Sequence, residues 1–281
     1  MKTLAAVLVV VVVVFASIGS GIAQTRTSIW DKIDSSGVMV AGVMVASQPG
    51  VWKDVATGTY KGFYVNIARA IAEALSKEMG KPIKLEFAET TWGSVVLDLQ
   101  AAKIDFWSGM SVTPQRLQAL DMAGPMYELA HCYVNRKGLE GLQTWADYSK
   151  PEIKLATTIG TSDERAIKEL SPNATHLGFK DEAQAMLAVQ AGRADALGTS
   201  VLVCLDIKKR NPDLGRIVFP APVKTLPSSA GMRKDGDGRF HKFVQAWAEK
   251  SRASGLTKKL IVDALRDAGL NPDELPGEFS F

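Results

Sequence analysis

The sequence predicts an α/β fold on three observations. Apolar runs of strand length alternate with stretches of helical periodicity, Gly and Pro punctuate the joins, and the strand–helix pattern starts afresh in the second half of the chain. Such alternation implies mostly parallel sheets flanked by helices, with ligands at the carboxyl ends of the strands.

Taken in order, Ile29 to Ile33 reads as a short helical turn and Gly37 to Val43 as the first buried strand. Ser47 to Trp52 follows as a loop, in which Trp52 either stacks on a ligand or packs against the strand. Tyr60 to Val65 is an extended entry, and Asn66 is the expected N-cap of a helix that puts Ile67, Ile71, Ala74 and Leu75 on one face and stops at Gly80. Ile83 to Phe87 alternates like a strand, and Trp92 to Ala102 places Val95, Val96 and Leu99 inward on a helix. Met126 to Arg136 runs extended, before Gly138 and Gly141 loosen the chain.

A second set begins with the strand Lys154 to Ile159, the turn at Gly160 and the sequence Thr161-Ser162-Asp163-Glu164, a capping box with Thr161 as cap and Glu164 at N3. Alone, this is either an ordinary capped helix or a second anion site, because a helix N-terminus behind a strand suits an anion. A helix over Asp181 to Gln190, a strand over Asp195 to Ser200, a helix over Val201 to Lys209 and a strand over Arg216 to Phe219 come next. Thr225 to Gly231 returns, and two helices, roughly Arg239 to Ala253 and Leu256 to Asp267, carry Phe240, Phe243, Val244, Trp247, Leu260, Ile261 and Leu265 as core faces.

The chain is organised around Asp105 to Arg116. An apolar run ending in Trp107 meets Ser108-Gly109-Met110-Ser111, where bare backbone and hydroxyls suit the close approach of a ligand. Thr113 fits an N-cap, Pro114 falls at N1 and Arg116 at N3. A cation there opposes the helix dipole by about 0.3–1 kcal/mol at an exposed site. Either an anion sits between guanidinium and dipole, gripped by bidentate bonds, or Arg116 makes a surface ion pair with Asp121. Both readings stand on spacing alone.

Lys2 and the apolar run Leu4 to Phe15, followed by small residues up to Gly21-Ile22-Ala23, form a secretory signal peptide over residues 1–23. The mature chain of about 260 residues is then exported, with room for one large domain or two small ones. The 33 basic and 30 acidic residues of the full sequence, of which only Lys2 falls in the signal peptide, are near balance, which argues against a nucleic-acid partner. The histidines, His131, His176 and His241, are scattered, so no metal site is expected. Cys132 and Cys204 lie in separate apolar runs and are expected as two buried thiols, a single disulfide being the alternative.

Five segments in fixed order carry a resemblance. Trp30 to Ile33 with Gly37 to Gly42, Lys61 to Ala68, Ser108 to Ser111 with Thr113, Pro114 and Arg116, Ile159 to Ser162, and Ala191 to Ala196 resemble the periplasmic solute-binding proteins of polar amino-acid ABC transporters, that is, bacterial extracellular solute-binding proteins of family 3. The resemblance implies a two-lobed periplasmic binding protein fold of type II with a two-strand hinge. Lobe 1 would take residues 24–129, lobe 2 residues 130–226, and residues 227–281 would return to lobe 1. By that likeness Arg116 grips a ligand carboxylate, helped by Ser108, Gly109, Met110 and Ser111 and, from lobe 2, by Thr161 and Ser162. The implied partners are a small carboxylate, an amino acid or close relative, and a membrane permease, for a monomer in the periplasm with no cofactor.

Three departures qualify this. The family's ammonium-binding aspartate is replaced by Ser200, so either Asp163 or another carboxylate takes over, or the ligand has no α-ammonium. The family's aromatic in the first ligand loop falls near Ser47, which leaves stacking to Trp52, Trp92 or Trp107. The strand ending at Ser111 is one residue shorter than usual, leaving the direction of Trp107 open. Beside the binding protein, which needs no catalytic residue, stand a dehydratase-like secreted enzyme and a ligand sensor for a membrane receptor.

Overall fold

The computed structural model describes residues 27–45 and 48–274; the signal peptide and the position of Ser47 lie outside the described residues. The first half is built on β1 (Val38–Val43), β4 (Lys84–Glu89) and β5 (Phe106–Ser111), with β1 parallel to both others. Helices α1 (Ile29–Ser36), α2 (Phe63–Met79) and α3 (Val95–Gln100) connect or flank them, and a short hairpin of β2 (Trp52–Lys53) and β3 (Tyr60–Lys61) stands apart. The second half repeats the scheme with β7 (Lys154–Thr158) parallel to β8 (Thr175–Phe179) and to β9 (Ala196–Ser200). Its helices are α5 (Trp145–Tyr148), α6 (Ser162–Leu170), α7 (Glu182–Gln190) and α8 (Val201–Arg210).

Two long antiparallel strands join the halves. β6 (Leu120–Asn135) pairs over its first part with β11 (Thr225–Arg233) and over its last five residues with β9, while β11 also pairs with β5. The strand order is therefore β4-β1-β5-β11-β6-β9-β7-β8, with β10 (Ile217–Val218) on the side of β6. After β11 the chain closes with α9 (Arg239–Ala253) and α10 (Leu256–Asp267), whose residues Phe240, Val244, Ile261 and Leu265 are buried as their spacing predicts.

Each half fixes its strands by the same device. Asp105, just before β5, accepts from Val40 N at 2.7 Å and from Lys32 Nζ at 2.6 Å. Asp195, just before β9, accepts from Lys154 N at 2.9 Å and from Arg136 Nε at 2.8 Å. A carboxylate that ties the start of one strand to its parallel neighbour sets where both strands end, and so where the following loops converge.

The structure corrects three expectations. Asn66 does not cap α2: the helix starts at Phe63 behind Gly62, and Asn66 lies inside it, donating from Nδ2 to Leu260 O at 3.3 Å. Gly62 is needed there, since its φ is +122° and a Cβ would meet Gly50 O at 2.1 Å. The capping box at Thr161 is only half formed. Thr161 Oγ1 accepts from Glu164 N at 3.0 Å, but the Glu164 carboxylate accepts from Gly160 N at 2.8 Å, one residue too early.

The cysteines, expected as separate thiols, form the disulfide Cys132–Cys204 with Cα atoms 6.9 Å apart. Distance in sequence misleads because β6 pairs with β9 in a register that sets Cys132 opposite Thr199. Helix α8 follows β9 directly and brings Cys204 back over β6.

Candidate functional site

The loops at the carboxyl ends of the parallel strands meet in a cleft between the halves, as this class of sheet requires. The cleft holds a cavity of about 50 Å3. From the first half it is lined by Tyr64 at the start of α2, Trp92 before α3, and Gly109, Met110 and Ser111 at the end of β5. From the second half come Thr161, Ser162 and Asp163 at the start of α6, Glu182 at the start of α7, and Ser200 and Val203 where β9 runs into α8. Leu129 and His131 on β6, with Leu226 and Ser228 on β11, form the rest.

Of the ten residues expected from sequence, seven line this cavity: Trp92, Gly109, Met110, Ser111, Thr161, Ser162 and Ser200. Ser108 lies just behind it, buried, with Oγ donating to Tyr64 O at 2.8 Å and so tying β5 to the first turn of α2. Trp52 is in the β2–β3 hairpin and is not among the lining residues. Trp107, left open by the sequence, is fully buried; its Nε1 donates to Gly109 O at 2.6 Å and its ring packs edge-on to Trp92.

Arg116 is at N3 of α4 (Pro114–Ala119), with Thr113 as cap accepting from its backbone N at 3.1 Å. It is 8 % exposed. Nη1 donates to Ser111 O at 2.9 Å, and the guanidinium carbon lies 5.6 Å from the centre of the Trp92 ring. It is thus held by two residues that line the cavity, without lining it itself. No acidic side chain forms an ion pair with it among the described residues, Asp121 included. Burial pulls its pKa down from the ordinary value.

The opposite wall is acidic. Glu182 is half-buried, and its carboxyl is pushed up to about 7, first by burial and then by the neighbouring charges of Asp163 and Asp181. Asp163 Oδ1 lies 2.7 Å from Nδ1 of His131. Tyr64 is pushed up to about 12 by burial, so its hydroxyl stays neutral.

Three of these polar lining residues, Tyr64, His131 and Glu182, are not apparent from motif spacing. The available signals were a histidine inside the extended apolar run Met126 to Arg136 and an acidic pair, Asp181-Glu182, at the start of the helix expected over Asp181 to Gln190. Among the described residues no group of His, Cys, Asp and Glu could hold a metal ion, and no helix is long and apolar enough to cross a membrane.

The profile of the bacterial extracellular solute-binding proteins, family 3, matches residues 39–263. The chain belongs to this family. Among similar proteins, the arginine-binding extracellular protein ArtP of Bacillus subtilis (strain 168) is 27% identical over 207 residues, covering 70% of this chain and 76% of ArtP. The crystal structure of AncCDT-1, an ancestral amino acid-binding protein described as a precursor of cyclohexadienyl dehydratase, superposes with a TM-score of 0.71 at 29% identity, covering 84% of this chain and 99% of that one. A putative ABC transporter binding component from Wolinella succinogenes DSM 1740, complexed with lysine, gives a TM-score of 0.71 at 25% identity, over 81% and 95% of the two chains. The solute-binding protein thus has the two-lobed architecture of this family, with β6 and β11 as the strands that cross between lobes.

Proposed function

We propose that this solute-binding protein captures an amino acid or close relative outside the cytoplasm, by its carboxylate, and delivers it to an ABC transporter permease. The observation that carries this is Arg116, a buried guanidinium held against the cavity residues Ser111 and Trp92, with no acidic ion-pair partner among the described residues. A desolvated cation without a counter-charge costs several kcal/mol. A carboxylate arriving over Ser111 and Trp92 offsets that cost, and the first turn of α6 adds hydroxyls and N–H groups from the other lobe. Ser108, Gly109, Met110, Ser111, Thr161, Ser162, Ser200 and Trp92 are assigned to the binding site with it.

The cavity has room for only a few water-sized groups, at about 10–15 Å3 each. A small amino acid is therefore favoured, and a ligand as long as arginine requires the lobes to sit further apart. In this reading the lobes divide at residues 24–129, 130–226 and 227–281, which is supported by β6 exchanging β11 for β9 after Ala130 and by β11 beginning at Thr225, opposite Ala130. Residues 1–23 serve as the signal peptide, and the mature protein acts as a monomer in the periplasm without catalysis.

The test is thermal unfolding of the mature protein with each of the twenty L-amino acids. A ligand at 100 times its Kd adds about 2.7 kcal/mol, which raises the midpoint of a chain this size by roughly 5–10 °C. No shift with any amino acid, nor with any of the corresponding 2-keto acids, contradicts the proposal.

One observation favours a second reading, an enzyme on the same scaffold. Glu182, protonated in part at neutral pH, and the His131–Asp163 pair share the cavity, which is the equipment of an acid and a base. Mass spectrometry decides between the two: a binding protein returns its amino acid chemically unchanged.

A further inference from the structure

The reading above uses Arg116 and the hydroxyls of the opposite wall but gives His131, Asp163 and Glu182 no role in binding, although Ser200 lacks the charge that would hold an ammonium group. His131 faces Ser200 across the β6–β9 pairing and is 3 % exposed. Its Nδ1 lies 2.7 Å from Asp163 Oδ1, and its Nε2 is buried with no hydrogen-bond partner. Both side chains line the cavity.

The contact with Asp163 selects a tautomer of the ring. A carboxylate oxygen accepts, so in the uncharged imidazole the proton belongs on Nδ1, donating to Asp163 Oδ1. Nε2 is then a bare acceptor. A buried acceptor without a donor is disfavoured, and the donor it suits is an N–H of whatever occupies the cavity. A carbonyl oxygen in the same place would meet lone pair with lone pair.

We propose that His131, oriented by Asp163, is the specificity-determining residue that accepts a hydrogen bond from the ligand's ammonium group, so that the site takes α-amino acids and rejects the corresponding 2-keto acids. The inference rests on the carboxylate-binding reading of Arg116 and assigns the other end of the same ligand. His131 takes the place of the aspartate that Ser200 replaces, and Asp163 acts through it as a positioning residue.

The test measures the Kd of the mature protein for each binding L-amino acid and for its 2-keto acid. Wild type prefers the amino acid by at least about tenfold. His131→Phe, which keeps Asp163 and Glu182 in the cavity, brings the ratio to within about threefold, and His131→Gln, which restores an acceptor oxygen, recovers part of it. Asp163→Asn donates to Nδ1, moves the ring proton to Nε2 and shifts preference toward the keto acid, which a merely structural role for Asp163 does not do. If His131→Phe fails to fold by circular dichroism, the nearly isosteric Asp163→Asn decides alone. An unchanged ratio in a folded His131→Phe or Asp163→Asn variant overturns the inference while leaving Arg116 its role. Absence of binding by every amino acid and keto acid in wild type overturns the carboxylate reading, and this inference with it.

Discussion

Ser162 Oγ and Ser111 Oγ are 2.8 Å apart, a hydrogen bond from the first turn of α6 to the last residue of β5. Arg165 Nη1, one turn further along α6, donates to Gln115 Oε1 at 2.9 Å. Together they tie the two sides of the cleft to each other, and Ser111 and Ser162 are themselves among the residues assigned to the ligand.

Closure of this kind is a two-state equilibrium that ligand and rim contacts both bias. One hydrogen bond contributes about 0.5–1.5 kcal/mol, so Ser162→Ala is expected to weaken amino-acid binding by roughly two- to tenfold. Small-angle scattering should show a larger radius of gyration for the unliganded variant. Unchanged affinity and radius would mean that the bond does not bias closure.

Glu182 makes stability depend on pH. Its carboxyl titrates near 7 in the folded protein against 4.5 ordinarily. Below about pH 4.5 it is protonated folded and unfolded, and costs nothing. Between about 4.5 and 7 the unfolded chain releases the proton and the folded protein keeps it, so stability falls as pH rises, and above about 7 the full cost stands, on the order of 1–3 kcal/mol. Glu182→Gln is therefore expected to gain on wild type as pH rises from about 5 to 8 in denaturant titrations. A constant difference between the two over that range would contradict the assignment.

The Cys132–Cys204 disulfide closes a loop with a sequence separation of 72. By chain entropy alone such a loop is worth about 4 kcal/mol, so Cys132→Ala with Cys204→Ala should lower the unfolding midpoint by about 10 °C. Thiol titration of the unfolded oxidised protein should find no free cysteine.

Gly109 leaves no room for a side chain. A Cβ there would lie 2.1 Å from the Tyr127 hydroxyl and 3.0 Å from Tyr64 Cε1. Gly109→Ala should therefore destabilise the fold by about 1–3 kcal/mol and, by displacing Tyr64 from the cavity wall, reduce ligand binding as well. Chemical denaturation and calorimetry measure the two effects separately.

Much of the fold was legible because local signals agreed with it. The start of α4 is the clearest case: Thr113, Pro114 and Arg116 occupy cap, N1 and N3 as their chemistry predicts. The start of α2 was misread because its signal is a clash, between a would-be Cβ of Gly62 and Gly50, that exists only after folding. The disulfide and the His131–Asp163 contact depend on the β6–β9 register, which no local pattern encodes. Glu182 escaped for a different reason. Its perturbation comes from burial near Asp163, a residue of another helix, and in sequence it is only an acidic residue in the first turn of α7.

The most direct test of the central claim is the affinity of Arg116→Ala, measured by calorimetry with an amino acid that binds the wild type. Removing the guanidinium takes away the main partner of the carboxylate, so binding should fall by at least about a hundredfold, with the circular dichroism spectrum unchanged. Wild-type affinity in the folded variant would contradict the account and leave Arg116 as a structural residue.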